Sequence, residues 1–535
     1  MQNIALITAA LRGGGAERCA ANLSLIFAKK GFRVFLFTDL LRNVEYEYAG
    51  ILVDYSFDVS AVDKIQEENP LWYKVEELKA LKVEYDIDIA VSFLQWPNYL
   101  NILSKGREKV ILTTHSVNSV YAEQEKAVFW SKETFCELYQ YADFITFPSD
   151  FCRKDWLEHY GDQNGITRTV YNPIHRMKIC VAERKENIVI AVGRMQGVKR
   201  QWHLIKAFAK VKKMCPDSKL IVLGDGELRS ELETVVARYK LEDCVEMPGN
   251  VRNVWEYLEK AKVFAMTSKC EAMPCSVLEA MSVGLPVVSC DSPGGIREEL
   301  GIPYKQNAIK PLMGKCGIIT PYIKENAMED ISCEEEMFAN EIVRLFMDND
   351  LWNKLSAAAV ERVQMFSEET VGKVWNALLC DSQCRKINRE EFEKVREKNL
   401  NRYQNTMNAA KIQMYSSYFR LLEKWMVLHE KGESIREYFV SRKMKNIIIY
   451  GMGKMAYHLL EDIKGSSINI ICAVDRKMIN KDVVFPVITP EEPIPDADCI
   501  VVTPVHEFEM IKSKLMGRTS VPLISLEDVI AECSI

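Results

Sequence analysis

The sequence predicts an α/β chain of doubly wound parallel sheets arranged in three units. Three observations carry this. Strand-length apolar runs alternate with helix-period segments from the N-terminus, the alternation restarts near Asn187 and again at Asn446, and each series opens with a strand followed by a glycine-containing turn. In the first unit Ile4–Leu11 reads as a strand, Ala16–Lys30 as a helix, and Val34–Thr38, Ile89–Phe93, Val110–Thr114 and Phe144–Pro148 as further strands. The second unit offers Ile188–Val192, Leu220–Leu223, Val263–Thr267 and Pro286–Cys290, and Tyr171-Asn172-Pro173 leads into it. From Glu368 the pattern turns helical, with no proline between Tyr322 and Phe485. Tyr415, Tyr418, Phe419, Leu422, Trp425 and Leu428 recur at helical spacing and are expected to form a packing face. The third unit runs IIIYGMGKMAYHLLEDI, INIICAVD and CIVVTPV: strand, glycine turn, helix, strand. The expected domains are 1–180, 181–368, a helical return and linker over 369–445, and 446–535.

The whole-chain numbers agree. At ~150 residues per domain, 535 residues suggest three or four. A composition of 48% hydrophobic and 27% charged residues excludes a disordered or fibrous protein. The net charge of −6 implies no general polyanion-binding surface, so no nucleic-acid partner is expected. No run of 18 apolar residues occurs, so no membrane span is expected. The N-terminus lacks a basic region before its apolar run and reads as a strand, not a signal peptide. The 16 cysteines form no CxxC pair, and Cys380 and Cys384 lack a second pair for zinc. Free thiols in a reducing cytosol are the expectation.

Two loops carry chemistry. Gly13-Gly14-Gly15-Ala16-Glu17-Arg18 follows the first strand and opens a helix, so backbone and helix N-terminus can approach a ligand closely. It is neither a P-loop nor a dinucleotide fingerprint, since Arg18 stands where the third glycine belongs; a bare tight turn is the competing reading. In the second unit, Gly193-Arg194-Met195-Gln196-Gly197-Val198-Lys199 leads from a strand into the helix Trp202–Lys212. Arg194 and Lys199 at that sheet edge suit a diphosphate, against the alternative of a solvated basic loop.

Further on, Glu271-Ala272-Met273-Pro274-Cys275-Ser276-Val277-Leu278-Glu279 reads as loop then helix, with Pro274 in the first turn and Glu279 on the second. Glu279 can take both hydroxyls of a ribose, and Glu271 lies nearer a transferred sugar. The N–H groups of Ala272 and Met273 are expected to face the same cleft. Asn250 and Val251, in VEMPGNVRNVWEYL, sit where a nucleobase can rest on backbone groups. Asp86-Ile87-Asp88 matches a metal-binding DxD but begins a strand far from these residues, so no metal site is expected.

GGGAER, GRMQGVKRQWHLIKAF, GDGELRSELE, SKCEAMPCSVLEAMSVGLPVV and PGGIREEL together resemble a retaining GT-B glycosyltransferase of family 4 over residues 1 to 380. Tyr171-Asn172-Pro173-Ile174 resembles the family's domain-closing segment, and Ala272-Met273 departs from its usual glycine-aromatic pair. The resemblance implies a nucleotide sugar, UDP-linked, between two Rossmann-like domains, with the N-terminal one on the acceptor side. Arg194, Lys199, Glu271 and His115 become the catalytic set. Gly14, Gly15, Asn250, Val251, Ala272, Met273 and Glu279 become donor contacts. His115 without that context reads equally well as a structural hydrogen-bonder. No metal or other cofactor is implied for the transfer, and the acceptor is a glycan or lipid-linked glycan at the cytosolic membrane face. Lys29, Lys30, Lys105, Arg107 and Lys109 are candidates for that contact, against a solvated charge run.

In the third unit Gly451, Gly453 and, at the end of the next strand, Asp475 fit a GxGxxG/A nucleotide turn. NAD or another nucleotide, a docking role and an oxidoreductase activity all remain open for it. The competing functions for the whole chain are an NAD-dependent sugar-nucleotide epimerase or oxidoreductase, and a non-catalytic nucleotide-sugar sensor.

Overall fold

The computed structural model describes residues 1–40, 44–56, 70–122, 131–162, 164–174, 186–251, 253–304, 307–324, 330–381, 387–475, 484–490, 492–515 and 518–533. They form two compact units, Met1–Gln404 and Asn405–Ile535.

The first unit contains two seven-stranded sheets. One comprises β1 (Asn3–Ile7), β2 (Arg33–Thr38), β3 (Ile51–Asp54), β4 (Ile89–Phe93), β5 (Lys109–Thr113), β6 (Phe144–Phe147) and β7 (Thr167–Thr169), in the order β3-β2-β1-β4-β5-β6-β7, all parallel. The other comprises β8 (Ile188–Val192), β9 (Lys219–Leu223), β10 (Val245–Gly249), β11 (Val263–Met266), β12 (Val287–Cys290), β13 (Leu312–Met313) and β14 (Gly317–Thr320), in the order β10-β9-β8-β11-β12-β14-β13. Its edge strand β13 is antiparallel to β14.

The central strands are apolar throughout because helices cover both faces. Ile4 and Leu6 face a core with Leu23, Phe27 and Trp375, while Ala5 and Ile7 face another with Tyr99 and Leu100. Strand order reverses between β1 and β4, and again between β8 and β11. Loops leaving the carboxyl ends at such a reversal splay apart and leave a crevice. Those loops are Gly13–Gly15, Gly193–Lys199 and the segment through Glu271.

The helix Glu368–Cys380 returns to the first sheet, where Trp375 meets Phe27 with ring centroids 5.7 Å apart. Phe392 and Leu400, on the helix Arg389–Glu430, are buried in the core of the same sheet.

This return accounts for part of the basic run that the sequence offers as a membrane contact. Lys109 Nζ donates to the carbonyls of Leu378, Leu379 and Asp381 (3.2, 2.9 and 2.6 Å), closing the end of the returning helix. Lys105 is buried in an ion pair with Asp143. Arg107 is exposed but pairs with Asp86, and Lys29 pairs with Glu368 at 2.8 Å. Asp88, the other half of the DxD, accepts from the Asn3 N–H at 2.8 Å. Lys105 and Lys109 are thus structural, while Arg107 and Lys29 remain at the surface.

The second unit is a five-stranded parallel sheet of β15 (Asn446–Tyr450), β16 (Asn469–Val474), β17 (Val487–Ile488), β18 (Cys499–Val502) and β19 (Leu523–Ser525), in the order β17-β16-β15-β18-β19. Leu421, Trp425 and Leu428 of the long helix are buried in its core, with Tyr418 and Leu422 packed alongside. Phe419 departs from the expected stripe and is 69% exposed; the Tyr415 side chain lies outside the described residues. Asp462 ties this helix to the sheet, accepting from Trp425 Nε1 (2.7 Å) and Ser434 Oγ (2.6 Å) and bonding His429 Nε2 (3.0 Å).

Among the described residues no helix is long and apolar enough to cross a membrane. The described cysteines are free thiols, and Cys384 lies outside them.

Candidate functional site

Gly13 takes φ +72°, a conformation natural to glycine, and turns the chain so that the helix Gly15–Lys29 starts at the crevice. The N-cap Gly14 brings no side-chain acceptor, and the first turn of the helix lines the cavity. On the facing sheet, the bend through Glu271 is fixed by the glycine pair of PGGIREEL. A Cβ on Gly294 would overlap the Glu271 carbonyl oxygen, and the Gly295 N–H donates to the carbonyls of Glu271 and Ala272, both at 3.1 Å. The helix Cys275–Ser282 follows, with Pro274 as its N-cap, one position earlier than the sequence suggests.

These loops enclose a cavity of about 330 Å³ lined by Gly13–Arg18, His115, Arg194, Lys199, Glu271–Ser276 and Glu279. Nine of the eleven expected residues of the first unit therefore meet in one place: Gly14, Gly15, His115, Arg194, Lys199, Glu271, Ala272, Met273 and Glu279. Asn250 and Val251 do not line it. Asn250 is exposed, and Val251 packs on the core below, beside Val254 and Trp255. Trp255 instead lines a second cavity of about 250 Å³, together with Arg18, Glu45, Tyr46, Glu47, Leu278 and Glu279.

The charges are arranged in pairs. Lys199 Nζ bonds to Glu271, whose carboxylate also accepts from Ser268 Oγ at 2.8 Å. Arg18 reaches from the first sheet's domain to Glu279 on the other, 261 positions away. Burial raises the Glu279 carboxyl above the ordinary carboxylate range, and Arg18 opposes this. Burial likewise pulls the Arg18 guanidinium down, but Glu279 and Tyr46 leave it raised overall. Arg194 is exposed to the cavity and has no ion-pair partner among the described residues. The Ala272 and Met273 N–H groups donate to no group among the described residues.

Sequence reasoning placed Arg18 only as a missing glycine. Its helix position was legible, but nothing near it in sequence announces Glu279.

His115 follows β5 and lies beside Phe93, ring centroids 5.8 Å apart. Its Nε2 is buried without a hydrogen-bond partner among the described residues, and burial pushes the ring down to about 4. The imidazole is therefore neutral at physiological pH. A depressed pKa makes its stabilising contribution complete above the unfolded value of about 6.5 and progressively lost as pH falls towards 4. We expect the His115 ring resonances in an NMR titration to stay flat from pH 8 to about 5. An inflection near 6.5 would contradict this environment.

Behind Glu271, Glu299 is fully buried, and neither carboxyl oxygen has a partner among the described residues. Burial, then Glu271 and Glu298, push it well above the carboxylate range. A raised pKa costs stability as pH climbs from the unfolded value, because the folded state must retain a proton that the unfolded state releases. Glu299→Leu is expected to stabilise the protein by about 1–3 kcal/mol, with the gain in melting temperature larger at pH 8 than at pH 5. A loss at pH 8 would contradict the orphaned state.

In the second unit Gly451 and Gly453 form the turn after β15, and Asp475 follows β16. Asp475 accepts from the Met452 N–H at 2.6 Å, bracing the turn itself.

Comparison with known proteins places these geometries. The description "Glycosyltransferase Family 4" matches residues 13–176 and "Glycosyl transferases group 1" matches 177–311, contiguously and over more than half the chain. The chain belongs to this glycosyltransferase family. Its fold is GT-B. An uncharacterized glycosyltransferase of Methanocaldococcus jannaschii is 32% identical over 263 residues, covering 45% of this chain and 64% of that protein, less than two thirds of its length. The N-acetylgalactosamine-N,N'-diacetylbacillosaminyl-diphospho-undecaprenol 4-alpha-N-acetylgalactosaminyltransferase of Campylobacter jejuni is 27% identical, covering 56% and 84%. Among solved structures, sucrose-phosphate synthase from Thermosynechococcus elongatus superposes with a TM-score of 0.57 at 20% identity, over 71% of this chain and 98% of that one. Anabaena HepE in complex with UDP-glucose gives 0.55 at 17%, over 71% and 99%. In this family 4 chain, the cavity between the two seven-stranded sheets is thus the interdomain cleft of a GT-B fold.

Proposed function

We propose that the protein is a retaining, metal-independent glycosyltransferase that moves a hexose or N-acetylhexosamine from a UDP-sugar to a glycan or lipid-linked acceptor in surface glycoconjugate synthesis. The observation that supports this best is the position of Glu279, which lines both cavities. A nucleotide sugar has ribose between base and diphosphate, so one carboxylate at the junction can hold the ribose while the two ends occupy the two cavities. The base lies in the second cavity near Trp255, and Asn250 and Val251 take no part in holding it. The diphosphate and sugar lie in the first. The corresponding domain reading is an acceptor domain over 1–180, a donor domain over 181–368, the helical return and linker over 369–445, and a small Rossmann-like domain over 446–535.

Arg194 and Lys199 stabilise the charge that develops on the departing diphosphate, which is where preorganised electrostatics contribute most. Glu271 holds a sugar hydroxyl, the Ala272 and Met273 N–H groups contact the sugar, and neutral His115 supports it from the opposite domain. Gly14 and Gly15 border the reaction centre. The bond from the anomeric carbon to the phosphate oxygen breaks, and the acceptor oxygen forms its bond on the same face. The acceptor proton passes to the departing phosphate oxygen, so no protein base is required. The undecaprenol-linked acceptor named for the Campylobacter relative supports a lipid-linked acceptor here, with the protein working at the cytosolic face of a membrane. The Asp475 carboxylate already braces its own turn, and we assign no NAD to the second unit.

Incubation with a panel of nucleotide sugars and a metal chelator, with and without a crude lipid extract, tests the proposal through nucleoside diphosphate release. One donor should be consumed, faster with the extract and unaffected by the chelator. Saturable donor binding with no release across the panel would overturn transfer in favour of sensing.

A further inference from the structure

Arg18 and Glu279 lie at the junction of the two cavities and come from opposite sides of the cleft. Arg18 is the fourth residue of the helix that opens on the glycine turn, and its guanidinium is shelved 5.2 Å from the Tyr46 ring centroid. Tyr46 is in turn held by its hydroxyl, which donates to the Gly14 carbonyl at 3.3 Å. The bond from Arg18 goes to Oε1 of Glu279, and Oε2 has no partner among the described residues.

We infer that Arg18 is a positioning residue for the nucleotide: it reaches across the cleft to fix the Glu279 carboxylate in its charged form while Oε2 is left to accept the ribose hydroxyls. The inference rests on the nucleotide-sugar reading above. A carboxylate has about four lone-pair directions, so one guanidinium N–H and two ribose hydroxyls can share it. Hydrogen bonds to a charged acceptor are stronger than those to a neutral one, so keeping the charge is worth affinity.

The surroundings do not supply that charge by themselves. Glu279 is 8% exposed. Arg18 is the one cation among the described residues lining the second cavity, which also holds the carboxyls of Glu45 and Glu47. Glu17 and the exposed Arg194 line the first cavity with Glu279, and Tyr46 and, on the same helix, Cys275 line both cavities. Burial pushes Tyr46 and Cys275 up to about 12, so they are neutral near pH 7. Across the first cavity, Lys199 is engaged with Glu271. Without Arg18, burial favours the protonated acid.

The test is calorimetric titration of the full chain with uridine diphosphate and with guanosine diphosphate, from about pH 5.5 to 8.5, on the wild type, Arg18→Leu, Arg18→Lys and Lys199→Ala. The better-binding diphosphate should bind Arg18→Leu at least about tenfold more weakly than wild type near pH 6. That deficit, taken relative to wild type at each pH, should shrink as pH rises and Glu279 ionises unaided. Arg18→Lys should restore affinity to within about threefold. Wild-type affinity of Arg18→Leu at every pH, alongside weakened binding by Lys199→Ala, overturns the role of Arg18 and leaves the donor site standing. So does a pH-independent deficit that Arg18→Lys fails to relieve. Unchanged binding in every variant, or no binding of either diphosphate to the wild type, overturns the donor-site reading as well.

Discussion

Lys199→Ala is expected to lower kcat for sugar transfer by about 10²–10³, while the protein melts close to the wild type. Lys199 lies in the loop after β8, and its ammonium meets Glu271 at the wall of the first cavity. In the proposed reaction its positive charge stands where the leaving diphosphate gains negative charge, so its removal should raise the barrier. The fold should tolerate the change because the pair is partly solvated, with side-chain exposures of 23% and 15%, and Glu271 keeps its bond from Ser268. Solvated pairs contribute roughly 0–1 kcal/mol. Arg194→Ala should lower kcat/KM with still less effect on melting, since Arg194 is exposed and unpaired among the described residues. Full transfer activity in Lys199→Ala would remove Lys199 from the catalytic set.

The largest expected loss of stability comes from Asp291→Ala. Arg297 and Asp291 are almost fully buried and form a bidentate pair, Nε to Oδ1 at 2.7 Å and Nη2 to Oδ2 at 2.6 Å. Asp291 also accepts from the Ala308 N–H at 2.7 Å, and Arg297 further bonds the Pro303 carbonyl at 3.1 Å and stacks on Tyr304. Removing one partner of such a pair strands a buried charge, at a cost of about 3–5 kcal/mol. Arg297 belongs to the short helix Ile296–Leu300, which directly follows the glycine pair that shapes the Glu271 loop. Activity should therefore fall along with the melting temperature. A loss under about 1 kcal/mol would show that the pair is more solvated than its geometry implies.

The fold was legible because its central strands are buried on both faces and read as uninterrupted apolar runs. β4 matches the expected Ile89–Phe93 and β8 the expected Ile188–Val192. The first strand is shorter than expected, ending at Ile7, because Thr8 to Gly14 is already the approach to the glycine turn. The cleft was legible in its loops, since each follows a strand whose place at a sheet reversal can be anticipated. What local pattern does not carry is pairing at long range. Arg18 looked like a defect in a glycine fingerprint until Glu279 came beside it. Lys105 and Lys109 looked like a surface run, yet one meets a buried aspartate and the other closes a helix that returns from some 270 residues further on. Phe419 satisfied the helical spacing but lies on the exposed flank, because Leu421, Trp425 and Leu428 take the core positions.

The most direct test is a crystal structure of the full chain soaked with the nucleotide sugar that supports turnover. The base should lie beside Trp255, the ribose hydroxyls on Glu279, the diphosphate at Arg194 and Lys199, and the sugar against Glu271 and the Ala272 and Met273 N–H groups. A nucleotide bound at the Gly451–Gly453 turn, with nothing in the cleft between the two larger sheets, would contradict that assignment and move the chemistry to the second unit.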